Sequence, residues 1–564
     1  MTESLHDLYL QIISEGTIHK NAFDEIANNP GEYNKNLLSR ILTQNKDTEF
    51  GKRYNFDSIS NFEQYKKQVP ITHYVDYEPD LTKMIQEGTT NLITSEPIHH
   101  FMESSGTQGK AKYLPLTDGA KEIIHTLSKQ LFSRICDLIG DNWTYNKLLL
   151  LIVPAERTLS AHADRNSLST EMFIGIFEEH IEQFVVSPMV AYEKGKLTDT
   201  QYLHAFYSLS NPDMCSIFSP FMSFILEFFH YVDAHKEDLL KAIEEGVIDP
   251  SLQLSEADYA LLAEQIKPNK ARADELRAIF EQYPKNWPSK VWPKLELIIS
   301  TGSGSFLECT KVVRHYIGPT VNIMGLGFGA SECVFSMPVT MNDNDAVLLP
   351  HTGFYEFLPL GEEDYSKTCT LEDLEVGKSY EILVTTISGL YRYQMRDAIT
   401  VTGYYKNTPK ILFSHRIDQT INIFGEKTSE LLLRKIAYDT ADSYHLSIHN
   451  FSVYPDTTNA PMRYVFFIEF TEKTLPVSKE TIEQTLEENL RKANFLYAFF
   501  SDSGKLGALK LHILLKGSYV NYKQSLLQEG KNISQIKPVR IISSSKIKDF
   551  FYHHIDPHYE DFAL

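Results

Sequence analysis

The chain has 564 residues, too many for one simple core, so two or more domains are expected. Its 42% apolar and 23% charged composition is that of a soluble globular protein and excludes a disordered one. A net charge of −20, from 54 basic and 74 acidic side chains, argues against an electrostatic grip on nucleic acid or anionic lipid, so any anionic ligand must be held locally.

The first 50 residues mix charged and apolar side chains at helical spacing. Phe56 to Gln86 reads as short polar helices broken by Pro70 and Pro79. Leu92-Ile93-Thr94 and Ile98 to Met102 read as extended, and Thr117 or Asp118 caps a helix running to about Leu138. Lys147 to Val153 is a buried strand ended by Pro154. Helical alternation follows through 170–185 and 236–283, with a buried apolar helix over Met214–Val232 that carries Pro220, Glu227 and His230 and so does not fit a membrane span.

Leu295–Ser300 and Val321–Met324 are further strands around a helix at Lys311–Tyr316, the alternation of a layered α/β domain. From about Ala346 the pattern turns to short strands: Phe354–Leu358, Ser379–Thr386, Leu390–Tyr393, Ala398–Thr402 and Lys410–Phe413. The tail from 421 alternates helix and strand over a length suited to a small α+β domain. The fold class expected is therefore α/β: a large N-terminal domain with a β-rich subdomain over 1–417, and a small C-terminal domain over 418–564, hinged near Asp418.

The five cysteines are scattered with no CxxC pair, which disfavours both a disulfide framework and a structural zinc site, and the cytosol fits. Met1-Thr2-Glu3-Ser4 does not open a signal peptide. His445 and His449, and His553, His554, Asp556 and His558, have conceivable metal-ligand spacing but no accompanying acid–base pattern.

The most informative stretch is Ser104-Ser105-Gly106-Thr107-Gln108-Gly109-Lys110-Ala111-Lys112. Glycines at 106 and 109 let backbone N–H groups approach a ligand closely, and hydroxyls and lysines suit phosphate oxygens. It is not a Walker A loop, because Ser104 stands where that motif needs its first Gly and Ala111 follows Lys110. A Gly/Ser-rich surface turn is the plain alternative.

Three later stretches bear on that choice. Phe328-Gly329-Ala330-Ser331-Glu332 offers a ring to stack on a base, a hydroxyl and a carboxylate suited to Mg²⁺, or else a loop whose Ser331 and Glu332 cap the next element. In Leu390-Tyr391-Arg392-Tyr393-Gln394-Met395-Arg396-Asp397, the terminal Asp397 is either a ribose ligand or an ordinary turn residue. Arg416 and Asp418 sit where one domain gives way to the next, or form a surface ion pair of little consequence.

In order and spacing the set resembles the adenylate-forming superfamily and, more narrowly, the GH3 family of acyl-acid amido synthetases. That family's signatures read approximately SSGTSxGxxK, YxxSE and YRxGD, and here they stand as Ser104–Lys112, Phe328–Glu332 and Tyr391–Asp397. Gln535-Ile536-Lys537-Pro538-Val539-Arg540 is similar to the family's Q-Y-K-x-P-R segment. Phe328 replaces the usual Tyr, Arg396 stands where a Gly is preferred before the Asp, and Ile536 replaces an aromatic.

The resemblance implies a ligase that uses ATP and Mg²⁺ to turn a carboxylic acid into an acyl-adenylate, then transfers the acyl group to an amine such as an amino acid. It implies that Ser104, Ser105, Thr107 and Lys112 grip the β- and γ-phosphates, with Gly106 and Gly109 shaping the loop. Ser331 would contact the α-phosphate, Glu332 the Mg²⁺, and Phe328 the adenine, helped by the turn at Gly302. Asp397 would bind ribose with Arg416 beside it, and Lys537 would stabilise the adenylation step or else be a solvated lysine. Coenzyme A as acceptor, or a nucleotide-binding protein without turnover, are the alternatives. The partners expected are small molecules, with no nucleic acid and no membrane, and the chain is expected to be a monomer.

Overall fold

The computed structural model describes residues 4–105, 111–140, 145–152, 158–177, 180–193, 197–303, 306–417, 419–424, 426–458, 460–529, 536 and 538–559. The chain forms two compact units. One comprises Met1–Ser104, Lys112–Met395 and Ile399–Phe413; the other comprises Ser105–Ala111, Arg396–Ala398 and Ser414–Leu564.

In the first unit β1 (Ile98–Ser105) and β2 (Ala111–Thr117) flank the Ser/Gly-rich stretch. Strand β3 (Leu148–Leu150) opens a second sheet, while β4 (Arg165–Asn166) lies parallel to β1 with Arg165 opposite Phe101. The second sheet continues through β5 (Ser216–Phe221), β6 (Leu297–Thr301) and β7 (Asn322–Met324) in the order β3-β5-β6-β7, all parallel. Its strands read as continuous apolar runs because both faces are covered. Leu148, Leu150 and Phe218 enter one core, whereas Leu149, Ile217 and Ile298 enter the other.

The segment 214–232 departs from the expected single helix. Ser216–Phe221 is strand β5, and the helix runs from Met222 to Glu245. Pro220 lies where the β5–β6 register shifts between Phe218 and Phe221, a place that does not require the N–H it lacks. Pro79, expected to break a helix, sits inside Tyr74–Glu87. The carbonyl it leaves without an N–H is that of Val75, whose side chain is exposed. The helix after the Ser/Gly stretch is as expected, Asp118–Ile139, with the Thr117 hydroxyl accepting from the Ala120 N–H.

The β-rich part pairs β8 (Ser336–Met337), β9 (Ala346–Leu348), β10 (Gly353–Pro359), β11 (Ser379–Thr386), β12 (Tyr393–Tyr405) and β13 (Thr408–Arg416) in the order β10-β11-β12-β13-β9-β8. Leu390 to Arg392 is not the start of a strand as expected. Arg392 has φ +47°, outside the extended region, and β12 begins only at Tyr393.

The second unit holds the short pair β14 (Thr420–Ile421) and β15 (Thr428–Ser429) and a sheet of β16 (Ile448–Asp456), β17 (Arg463–Phe470) and β18 (Lys510–Ile513). The central strand β17 alternates: Tyr464, Phe466 and Ile468 enter one apolar cluster, and Val465 and Phe467 the other. Its buried Glu469 accepts from the N–H groups of Gly517 (2.7 Å) and Tyr519 (3.0 Å), at the start of the helix Ser518–Gln528. Among the described residues no helix is long and apolar enough to cross a membrane.

Candidate functional site

Strand β1 carries the chain into the Ser/Gly stretch, and its base is fixed from two sides. The Ser331 hydroxyl donates to the Glu103 carbonyl at 3.0 Å, joining the second signature to the residue just before the first. The Arg165 guanidinium reaches the Glu103 carboxylate at 3.4 Å and the Tyr113 hydroxyl at 3.3 Å, so the strands on both sides of the stretch share one cation. Ser104 lies near the end of β1 and Ser105 closes it. Lys112 opens the return strand region with its ammonium 5.4 Å from the Tyr74 ring centre. Gly106, Thr107 and Gly109 lie outside the described residues, as do Asp418 and Lys537.

A hydroxyl has one proton. While Ser331 donates it to Glu103, this side chain can only accept from another group. Glu332 follows it, half-buried, on the rim of a narrow cavity of about 40 Å³ that Met102, Ile124, Leu168 and Val334 also line. Among the described residues no group of three or more His, Cys, Asp or Glu could hold a metal ion. Glu332 supplies a single carboxylate among the described lining residues, and Mg²⁺ is an ion that takes one or two carboxylates and completes its shell with phosphate oxygens and water.

Phe328 is half-buried and stacks on Phe335 with centroids 4.6 Å apart, with Phe413 tilted against it at 5.3 Å. The ring is thus held in place by two others and needs no hydroxyl for its orientation. Gly302 is buried, and a Cβ there would lie 2.6 Å from the Thr310 hydroxyl oxygen, which itself donates to the Gly302 carbonyl. Packing at the start of the following helix accounts for glycine at this position.

In the second unit Asp397 is 2% exposed and accepts from Arg416 Nε at 3.0 Å; the arginine is 29% exposed. The preceding Arg396 has φ +58°. This is the left-handed region that glycine enters without penalty, so the backbone here takes the course a glycine would give it. The Ile417 N–H donates to the Arg396 carbonyl at 2.7 Å, fixing that turn. His415, on the same strand as Arg416, is held below the usual imidazole value by burial, against the opposing charges of Asp397 and Glu430.

Two features were not legible in the sequence. The first is the role of Arg392, whose guanidinium is fully buried. It donates to both Glu356 oxygens, from Nε at 2.9 and 3.2 Å and from Nη2 at 2.8 Å, and from Nη1 to the Lys66 and Val69 carbonyls. The arginine of the third signature is thus an internal brace. The second is a polar cluster assembled from four elements. His125 Nε2 lies 3.4 Å from Glu171 Oε2 and His100 Nε2 lies 3.6 Å from Oε1, while Asn166 donates to Oε1 at 2.6 Å. Burial acts to raise the Glu171 carboxyl, but the His125 hydrogen bond, the His100 charge and the Asn166 bond together hold it below its ordinary value.

Residues 19–322 match the GH3 family N-terminal domain, 346–416 the GH3 family central domain and 433–546 the GH3 family C-terminal domain. The chain belongs to the GH3 family. The GH3 chain is 25% identical to a jasmonoyl–L-amino acid synthetase of Oryza sativa subsp. japonica, over 94% of this chain and 95% of that one. It is likewise 25% identical to a 4-substituted benzoates–glutamate ligase of Arabidopsis thaliana, over 93% and 94%. A solved GH3 acyl acid amido synthetase superposes with a TM-score of 0.83 at 22% identity, covering 94% of this chain and 95% of that one. A 2-hydroxyisobutyryl-CoA ligase shares the fold at a TM-score of 0.50 and 9% identity, covering 95% and 90%. This GH3 protein is accordingly a mixed α/β ligase of the acyl acid amido synthetase type.

Proposed function

We propose that this ligase activates a carboxylic acid with ATP and Mg²⁺ and hands the acyl group to an amino acid. A carboxylate oxygen attacks the α-phosphorus, pyrophosphate leaves, and an acyl-adenylate results. The amine nitrogen then attacks the acyl carbon, AMP leaves, and the amine gives up a proton to form the amide. The observation that carries this reading is the Ser331–Glu103 hydrogen bond, because it puts a hydroxyl and the Glu332 carboxylate at the base of the Ser/Gly stretch and beside an apolar cavity.

Ser104, Ser105, Thr107 and Lys112 would hold the outer phosphates, with Gly106 and Gly109 admitting them. Ser331 would turn its proton from Glu103 to the α-phosphate. Glu332 would hold Mg²⁺, which when bound neutralises charge on the triphosphate. Phe328 would flank adenine beside the Gly302 turn, and Asp397, oriented by Arg416, would take the ribose. Lys537 would serve the adenylation step, with closure about Asp418 between domains 1–417 and 418–564 keeping water from the adenylate. We place the enzyme in the cytosol, a reading supported by its five free cysteines, and take it to act as a monomer.

The test is acid-dependent pyrophosphate release by purified protein with ATP and Mg²⁺, followed by mass spectrometry of products with amino acids and coenzyme A in competition. The expected outcome is release that Glu332→Ala reduces at least a hundredfold, and an amide rather than a thioester product. Absence of release across a broad acid panel, or release unchanged in Glu332→Ala, would overturn the reading.

A further inference from the structure

The cavity beside Glu332 is narrow, and its chemistry is uniform. Its volume of about 40 Å³ is far below the roughly 150 Å³ of a dry apolar protein cavity that binds benzene. Its walls are Met102 from β1, Ile124 from the helix Asp118–Ile139, Leu168 from the helix Leu168–Phe177, and Val334 after the second signature. Glu332 is the only charged side chain among the described lining residues.

The hydroxyls in the wall already have partners. Thr352 donates to the Val334 carbonyl at 2.8 Å and lies 2.6 Å from the Tyr355 hydroxyl. Thr386 accepts from the Leu390 N–H at 3.2 Å, and Ser388 accepts from the Thr117 N–H at 3.4 Å. The Cys333 thiol sits 3.6 Å from the Thr352 carbonyl and 3.7 Å from its hydroxyl. A ligand that enters finds mostly apolar surface, and a second charge it brings loses its water with no cation among the described lining residues to replace it.

The elements that form the walls also share a polar cluster. Met102, Ile124 and Leu168 each lie close in sequence to a member of the cluster around Glu171: His100 on β1, His125 on the first helix, and Glu171 itself on the second. The elements that carry these three walls thus also meet at Glu171. Leu168 is further fixed above Gly329, where a Cβ would stand 3.0 Å from its Cδ2 atom.

We propose that the acid activated here is a short, unbranched or singly branched aliphatic monocarboxylic acid, its tail in this cavity and its carboxylate toward Glu332 and the metal that residue would hold. Ring acids and dicarboxylic acids are excluded, the first by size and the second by the cost of burying another charge. The assignment rests on the adenylation reading above.

The experiment is pyrophosphate release by the wild-type protein with butanoate, 3-methylbutanoate, benzoate, indole-3-acetate and succinate. The two aliphatic monoacids are expected to show kcat/KM at least tenfold above the ring acids and succinate. Leu168→Ala, which removes a half-buried wall, is expected to raise kcat/KM for benzoate relative to butanoate by at least tenfold. Benzoate or indole-3-acetate turning over as well as butanoate on the wild-type protein would overturn the assignment while leaving adenylation standing. No release with any of the five, nor across a broader panel, would instead sink the adenylation reading. The wild-type ranking decides the matter even where Leu168→Ala fails to fold.

Discussion

Arg392 and Asp397 belong to one signature, yet their ion pairs are set on opposite terms. Arg392 and its partner Glu356 are 4% and 2% exposed, and the guanidinium makes all its contacts inside the fold. Asp397 is equally buried, but its partner Arg416 is 29% exposed. The closed pair has its hydrogen bonds within the protein and nothing to offer a ligand. The open pair joins a buried carboxylate to a guanidinium that is partly exposed, the arrangement that the proposed ribose contact would use. Residues of one motif can thus differ in how far their partners are exposed, and the proposal assigns the brace to the closed pair and the ligand to the open one.

The comparison breaks most visibly at Glu356. Glu356→Ala leaves a buried guanidinium without its carboxylate and is expected to cost about 3–5 kcal/mol, read as a lowered urea midpoint at unchanged slope. A loss under about 1 kcal/mol would remove the brace from the account. Asp397→Asn keeps the shape and removes the charge. It should raise KM for ATP by roughly ten- to a hundredfold, about 1.4–2.8 kcal/mol, with a smaller shift in urea midpoint than Glu356→Ala. Equal destabilisation by both variants would collapse the distinction.

Titration extends the same contrast to histidines. Burial pushes His204 down to about 3, and burial followed by the charge of Arg40 takes His351 down to about 4. Both are neutral in the folded protein at pH 6, while the unfolded chain begins to bind protons near pH 6.5. Their contribution to stability is complete above that point and is lost as pH falls towards 4, at up to about 1.4 kcal/mol per pH unit for each. Urea unfolding at pH 7 and pH 5 should show the drop, and His204→Asn should make it shallower. His415, near the open pair, shifts in the same direction through burial and is opposed by Asp397 and Glu430, so its replacement should matter less.

The smallest effect is expected at Arg396, which stands in a left-handed conformation before Asp397. Arg396→Gly should stay within about 1 kcal/mol of the parent with ATP binding retained, whereas Arg396→Val should cost about 1–2 kcal/mol. A glycine variant that loses ATP binding would show that the arginine side chain, and not the backbone, is what the site uses.

Much of this was readable in the chain. Alternation located β11 to the residue, and Thr117 marked its helix because a hydroxyl before a helical run has an N–H to satisfy. The run 214–232 misled because a continuous apolar stretch fits a strand buried on both faces as well as a buried helix. Pro79 misled because a helix exposed to water tolerates one missing hydrogen bond better than the rule suggests. The Glu171 cluster and the Arg392 brace left no local signal, since their partners come from segments far apart in sequence. Arg396 was legible only as an oddity until its dihedral angle explained why an arginine can stand in for glycine.

Arg540 is tied into the second unit twice over. Its carbonyl accepts from the Val453 N–H at 2.7 Å, and its guanidinium lies over the Phe451 ring at 4.5 Å. Backbone and side chain therefore anchor the same point of this unit, as a beam pinned at two places resists turning.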